Sequence, residues 1–236
     1  MAGVGTGLVG YLTGLASIIS YPALLAAGLP PVVANATNTV ALVGVGVGAT
    51  ARASRLAFAD TPRRTAQQLL LALVGGGVGG SLLLLGGDDT FSLIVPWLII
   101  LGSVMLLASP RITALRGERE SWNAYLVALF FVAIYCGYFG AGAGVMVLAT
   151  TAILTAIPFQ RAMVLKSLLL GVANIVASAI FIATGVVNWW AAIAMGVGCL
   201  LGGSLGPPIQ KRIPERVLRP VVALAGFAMA VWLWVR

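Results

Sequence analysis

The chain has 236 residues, of which 60% are apolar, 8% are charged and 30 are glycine. Soluble globular chains are about 45–50% apolar and about 25% charged, so this composition excludes a water-soluble domain, a disordered chain, a disulfide scaffold and a coiled coil. The sequence therefore predicts an all-α polytopic membrane protein whose surroundings are the lipid bilayer.

The net charge of +8 comes from 14 Lys and Arg against 6 Asp and Glu, with no His. Nucleic-acid-binding proteins cluster their basic residues on a solvated face. Here the charges fall in short islands between long neutral runs, so no nucleic-acid partner is expected. Neither a metal nor a cofactor is expected, because the sequence has no His, no CxxC and no carboxylate pair within an apolar segment. Cys136 and Cys199 lie inside apolar runs and are interpreted as buried small side chains.

Proline, glycine and charge divide the chain into apolar pieces. In chain order, the pieces are 2–16, 18–29, 31–51, 64–86, 91–109, 121–139, 141–157, 159–185, 188–208 and 215–235. Pieces 2–16 and 18–29 are too short to cross a hydrocarbon core of about 30 Å, so half-helices or a re-entrant hairpin are expected there. The sequence thus predicts about 8–10 membrane segments, with broken or re-entrant helices at the start of each half.

Lys and Arg in the loops predict the orientation in the cell inner (plasma) membrane, because such residues accumulate in cytoplasmic loops. Loops 52–64, 110–120 and 209–219 are basic and are predicted to be cytoplasmic. Loop 87–90, which has two aspartates and no base, and the uncharged loop 186–189 are predicted to face outside. The alternation of loops places the C-terminus outside.

The two halves overlay at an offset of 128 residues, which places Pro30 on Pro158, Gly14 on Gly142 and Asn38 on Lys166. The predicted orientation makes the halves opposite in the membrane. We therefore predict repeat 1 in residues 1–110, a cytoplasmic linker at 111–120 and repeat 2 in residues 121–236. Inverted repeats of this kind indicate alternating access about a central site.

The second half contains the run Tyr135-Cys-Gly-Tyr-Phe-Gly-Ala-Gly-Ala-Gly144, the run Ala162-Met-Val-Leu-Lys166-Ser167, and Asn174, Asn188-Trp189, Gly202-Gly203 and Leu218-Arg219. In these residues it resembles the TauE/SafE family of membrane permeases. In the first half, Gly28-Leu-Pro-Pro31 with Ala34 and Thr39 fits the same family. The resemblance implies transport of small sulfur-containing anions, chiefly export of sulfite or organosulfonates such as sulfoacetate. This chain departs from the family at Gly14-Leu-Ala-Ser17, which replaces a glycine cluster, and at Ser167, where an asparagine is common.

Lys166 is the foremost candidate for a substrate-binding residue. It is either a cation that binds an anion in a midplane cavity or a lysine that snorkels to the cytoplasmic interface. Asn35, Thr37, Asn38 and Thr39 form the densest polar cluster in a neutral segment. They could bind substrate or make helix–helix hydrogen bonds. Their place soon after Pro30-Pro31 favours binding, because helix N-termini offer free N–H groups and a positive dipole end to an anion.

The same argument about a helix N-terminus applies to Ser167 and Asn174. Gly142 and Gly144 could serve close helix packing, or an unwound turn whose amides face an oxyanion. Ser17 lies at the first break, in the segment where this chain departs from the family's glycine cluster. Tyr21, Cys136 and Tyr138 flank the breaks and are interpreted as packing residues rather than ligands.

All six carboxylates lie in predicted loops, so the sequence offers no carboxylate proton relay through the membrane. No catalytic constellation can be assembled, and an enzyme is not expected. The prediction is an exporter of small sulfur-containing anions. The alternatives are a channel or uptake permease for another oxyanion and a non-transporting membrane scaffold, and a homo-oligomer is possible.

Overall fold

The computed structural model describes residues 2–13, 15–43, 62–114, 120–210 and 215–235. Within these ranges every regular element is an α-helix, which confirms the predicted fold class. The helices are α1 Ala2–Thr13, α2 Ser17–Ala26, α3 Pro31–Val43, α4 Pro62–Ala114, α5 Trp122–Tyr138, α6 Ala143–Leu154, α7 Phe159–Ala183, α8 Trp189–Gln210 and α9 Glu215–Val235. Gly14, the end of piece 31–51, most of loop 52–64, the centre of the linker 111–120 and part of loop 209–219 lie outside the described residues.

Helix α4 consists of two arms, residues 62–86 and 88–114, which meet at Gly87. Gly87 has φ 68° and ψ −176°, a conformation that only glycine adopts without strain. The break lies in loop 87–90, where the sequence predicts a change of direction. An unbroken helix of this length would measure about 80 Å, far more than a bilayer core of about 30 Å.

The outer faces of the helices are apolar. Helices α4 and α7 are long and apolar enough to cross a membrane by length and composition, and the other apolar helices have shorter described spans. Large apolar side chains are exposed far from the core, among them Leu85 at 83% and Trp190 at 88%. Apolar surface of this extent marks contact with lipid or protein, as expected for a helical membrane protein.

The short helices at the start of each half form hairpins. The Ser121 N–H donates to the Leu154 carbonyl at 3.0 Å, so α5 begins beside the end of α6. In the first half, Gly10 lies against Ala16, and Gly5 lies close to Ile19, so α1 and α2 are antiparallel. Helices α1, α2 and α6 are only about 15–18 Å long, shorter than a hydrocarbon core of about 30 Å. Re-entrant hairpins remain a prediction.

Helices α3 and α7 begin at opposite ends of the first arm of α4. The Val32 N–H at the start of α3 donates to Asp88 Oδ1 at 2.7 Å, beside Gly87. At the other end, Arg64 shares a cleft with Pro158, which precedes α7. We call these the Gly87 end, which is predicted to face outside, and the Pro62 end, which is predicted to face the cytoplasm. The opposed starts support an inverted repeat.

The order of the helices also repeats. Helices α2, α3 and α4 begin at residues 17, 31 and 62, and α6, α7 and α8 begin at residues 143, 159 and 189, close to the offset of 128 residues. Leu233, near the end of α9, lines the same cleft as Pro30 at the Gly87 end. This places the end of α9 on the side that the sequence assigns to the C-terminus. The domain boundaries and the absolute orientation remain predictions.

Glycines bring the two halves into backbone contact. A Cβ at Gly79 in α4 would overlap the Ile134 carbonyl of α5, and one at Gly137 in α5 would overlap the Gly76 carbonyl. Likewise, a Cβ at Gly202 in α8 would overlap the Val4 carbonyl of α1. Close packing is therefore the role of these glycines. The hairpin of the second half thus packs against α4 through α5, and the hairpin of the first half packs against α8 through α1.

We expect Gly79→Ala to destabilise the protein, because the added methyl group would have to displace the backbone of α5. Overpacking of this kind costs about 1–3 kcal/mol. Gly77→Ala is the matched control, since its Cβ would make only an ordinary contact of 3.4 Å with Val176. Thermal unfolding in detergent should show a lower midpoint for Gly79→Ala alone. Equal midpoints for the two variants would contradict the packing analysis.

Candidate functional site

The break between α5 and α6 is built on two glycines and one tyrosine. Gly140 and Gly142 adopt φ values of 77° and 79°, which let the chain reverse over a few residues. The Tyr135 hydroxyl donates to the Ala141 carbonyl inside this turn. It also lies 3.3 Å from the Leu98 carbonyl of α4. The broken backbone is therefore held by a side chain of its own hairpin.

The turns of the two hairpins meet inside the protein. A Cβ at Gly142 would lie 3.3 Å from Leu15 Cδ2 in the first turn and 3.1 Å from the Cα of Gly102 on the second arm of α4. Leu15 is fully buried. We call this meeting of Leu15, Gly102 and Gly142 the tip contact. It brings the first turns of α2 and α6 close to each other.

The polar cluster of α3 is buried against both hairpins. The exposed fraction is 0% for Asn35 and 1% for Asn38. Asn35 Nδ2 donates to the Tyr138 carbonyl at 2.8 Å, and Asn38 Nδ2 donates to Ser17 Oγ at 3.1 Å. Helix α3 thus ties the end of α5 to the start of α2, and the sequence-predicted Asn35, Asn38, Ser17 and Tyr138 come together here.

The two asparagines leave hydrogen-bonding capacity unused. Neither the Oδ1 atom of Asn35 nor that of Asn38 has a hydrogen-bond partner among the described residues. The assignment of amide O and N can be exchanged by rotation, and a serine hydroxyl can either donate or accept. Asn38 can therefore keep its bond to Ser17 while turning its NH₂ toward an anion. Asn35 is fixed by the carbonyl that it binds.

The two threonines of the cluster are occupied by the protein itself. Thr37 Oγ1 accepts the Asn188 N–H at 3.0 Å, and Thr39 Oγ1 donates to the Asn35 carbonyl at 3.0 Å. The start of α3 also differs from expectation, because Asp88 already caps the Val32 N–H that an anion was expected to bind.

Lys166 packs against the first turn of α6. A Cβ at Gly144, in the first turn of α6, would lie 3.3 Å from Lys166 Cδ and 3.8 Å from Cγ. Because α6 starts at the tip and ends beside Ser121, this contact places the aliphatic part of the side chain beside the inner end of α6. That Lys166 is an interior group rather than one that snorkels remains a prediction, which this contact supports. In the described parts of the chain, Lys166 forms no ion pair.

Ser167 and Asn174, the two other predicted residues on α7, make contacts that do not involve Lys166. Ser167 Oγ donates to the Met163 carbonyl of its own helix at 3.2 Å. Cys136 Sγ lies 3.6 Å from Asn174 Oδ1 and links α5 to α7. These contacts hold the helices and do not involve Lys166.

A group of aromatic rings packs beside a cleft at the Gly87 end. The cleft has a volume of about 490 Å³, and Tyr21 lines it. Tyr21 packs edge-on against Phe91 and Phe139 at centroid distances of 5.9 and 5.8 Å. Tyr138 contacts Phe91 at 5.6 Å. Tyr21 and Tyr138 therefore pack within one group of aromatic rings, and Tyr21 also lines the cleft.

Sequence reasoning missed two residues of this site. Tyr135 opens the glycine-rich run that carries the family resemblance, so its place beside the turn could have indicated a role. Gly102 is a single glycine in a run of apolar residues, and no local pattern distinguishes it. Its importance comes from contact with Ala141, whose carbonyl oxygen would lie 2.8 Å from a Cβ there.

Broken helices that meet around buried polar groups are typical of membrane transporters. The family described as Sulfite exporter TauE/SafE matches residues 1–233, so the chain belongs to this family. Membership supports a function in membrane transport, which fits a protein that is not an enzyme.

Two relatives extend the comparison. The chain is 26% identical over 229 residues to Probable membrane transporter protein YfcA of Escherichia coli (strain K12), covering 95% of this chain and 84% of the relative. It is 25% identical over 220 residues to a Probable membrane transporter protein of Haemophilus influenzae, covering 92% of this chain and 86% of the relative. No solved structure matches the chain significantly.

We expect Tyr135→Phe to loosen the turn between α5 and α6, because the Ala141 carbonyl loses its donor. Leaving a buried acceptor unsatisfied costs about 1–3 kcal/mol. Hydrogen exchange of amides 139–144 should become faster than in the unmodified protein. Tyr138→Phe is the control, since the Tyr138 hydroxyl makes no hydrogen bond within the described chain. Unchanged exchange in Tyr135→Phe would show that the hydroxyl does not hold the turn.

Proposed function

We propose that the protein exports small sulfur-containing oxyanions, such as sulfite or sulfoacetate, through a site at the tip contact. Lys166 would attract the anion, and Asn38, Asn35 and the first turn of α6 would surround it. The family description supports this substrate class. The proposed location is the inner membrane, with the Pro62 end in the cytoplasm.

The observation that carries the proposal is the packing of the Lys166 side chain against Gly144 in the first turn of α6. A lysine in an apolar interior is costly unless it meets an opposite charge. Asp88, Asp89 and Glu120 are exposed at the ends of the described helices, and no carboxylate pairs with Lys166 there. A small anion would supply the negative charge that this site lacks.

The arrangement of the hairpins supports alternating access. The packed rings of Tyr21, Phe91 and Phe139 would block a route from the tip contact toward the Gly87 end. An outward-open state would require these rings to separate, while the opposite route closes. Rocking of two inverted halves about a fixed site is the motion known for transporters of this architecture.

We expect Lys166→Met to abolish sulfite flux in proteoliposomes, because the site loses its attraction for the anion. The loss should reach at least tenfold, or about 1.4 kcal/mol. Lys166→Arg should retain part of the flux, since it keeps the charge. Arg111→Met removes one positive charge at an exposed position and should transport like the unmodified protein.

The same assay decides among the alternatives. Sulfite, sulfoacetate, thiosulfate and sulfate should be compared at equal gradients in both directions. If only another oxyanion moves, that anion replaces sulfite as the proposed substrate. If flux is only inward, uptake replaces export as the proposed direction. If no anion moves although the protein is folded, the scaffold alternative gains and the transport proposal fails for these substrates.

A further inference from the structure

A second polar cleft, of about 170 Å³, opens at the Pro62 end. It lies between the first turns of α4, the start of α5 and the connection from α6 to α7. Its polar and aromatic lining, together with the residue that precedes α7, comprises Arg64, Gln68, Glu120, Trp122, Pro158 and Arg161. The cleft is separate from the tip contact and contains two arginines against one carboxylate.

Arg64 is held from two sides. Its guanidinium contacts Glu120 Oε1 at 2.6 Å, with the two side chains 48% and 40% exposed. It also lies over the Trp122 ring at 4.5 Å from the centroid, and Trp122 Nε1 donates to Gln67 at 3.2 Å. Exposed ion pairs of this kind are weak. Glu120 can therefore leave while Trp122 keeps Arg64 in place.

In its observed orientation, Gln68 presents a buried acceptor to an occupant that donates a hydrogen bond. Its side chain is 1% exposed, yet its Oε1 atom has no hydrogen-bond partner among the described residues. An unsatisfied buried acceptor is unfavourable. The start of α7, whose first N–H groups lack partners within the helix, borders the same cleft and favours negative charge. The cleft thus combines donors for an anion with one acceptor.

From this combination we propose that the cleft is a second binding site, for a small oxyanion that carries a proton, such as hydrogensulfite. The oxyanion oxygens would face Arg64, Arg161 and the start of α7, and its O–H would donate to Gln68 Oε1. Glu120 would compete with the anion for Arg64. Resting on the proposed export function, the cleft would load the tip site, because Arg161 precedes Lys166 by about 7.5 Å along α7.

Because Glu120 would compete with the anion for Arg64, its removal should change the KM in the opposite direction from removal of Arg64. Glu120→Gln should lower the KM for sulfite about three- to tenfold, because Arg64 becomes available to the anion. Arg64→Gln and Gln68→Met should raise the KM by a similar factor without changing kcat. Arg63→Gln, an exposed neighbour with the same change of charge, should leave the KM unchanged. A purely structural ion pair would make Glu120→Gln and Arg64→Gln change the KM in the same direction, and that result would overturn the proposal.

A binding measurement separates this proposal from the export function. Lys166→Met protein in detergent should still bind sulfite by calorimetry, more tightly than sulfate, which lacks an O–H at neutral pH. Adding Arg161→Gln or Gln68→Met to that variant should abolish binding. Loss of all binding in Lys166→Met alone would overturn the second site. If the unmodified protein moves no sulfite, the export function fails, and sulfite binding by Lys166→Met still decides whether the cleft is a site.

Discussion

A helix broken inside an apolar protein leaves N–H and C=O groups that water cannot reach, so the protein itself has to satisfy them. In this chain the break between α5 and α6 is held by the Tyr135 hydroxyl on Ala141 and by the Asn35 amide on Tyr138. The first donor stands on α5 itself, and the second, which is fully buried, stands on α3. The position of the turn therefore depends on α3 and α5, and the interior site depends on the turn.

The same requirement explains why small residues surround the tip. A turn can be placed beside another helix only if that helix presents backbone instead of a side chain, as Gly102 does to Ala141 and Gly142. The first turn of α6 then lies open to Lys166 through Gly144. Glycine thus has two uses here. Gly79 allows α4 to pack closely against α5, and Gly144 makes room for a charged side chain.

Much of the helix pattern could be predicted because proline, glycine and charge act locally on the backbone. The start of α3 after Pro30 and the break at Gly87 follow from such signals. Contacts between distant segments could not be predicted in this way. The bond from Asn35 to Tyr138 joins residues 103 positions apart, and hydrophobic periodicity does not specify it. For Lys166, the sequence gives the position along the helix but not the direction in which the side chain extends.

The difference between the two halves bears on direction. Asn38 and Lys166 occupy equivalent places in the overlay, and each lies against the first turn of the second helix of a hairpin, Asn38 at Ser17 and Lys166 at Gly144. The charged member stands on α7, which begins at the Pro62 end, and the neutral member stands on α3, which begins at the Gly87 end. An anion arriving from the Pro62 end therefore meets a full charge, whereas the opposite half offers it only hydrogen bonds. Under the proposed export function, this asymmetry would favour capture from the Pro62 end and release toward the Gly87 end, because charge attracts an anion over a longer range than a neutral amide does.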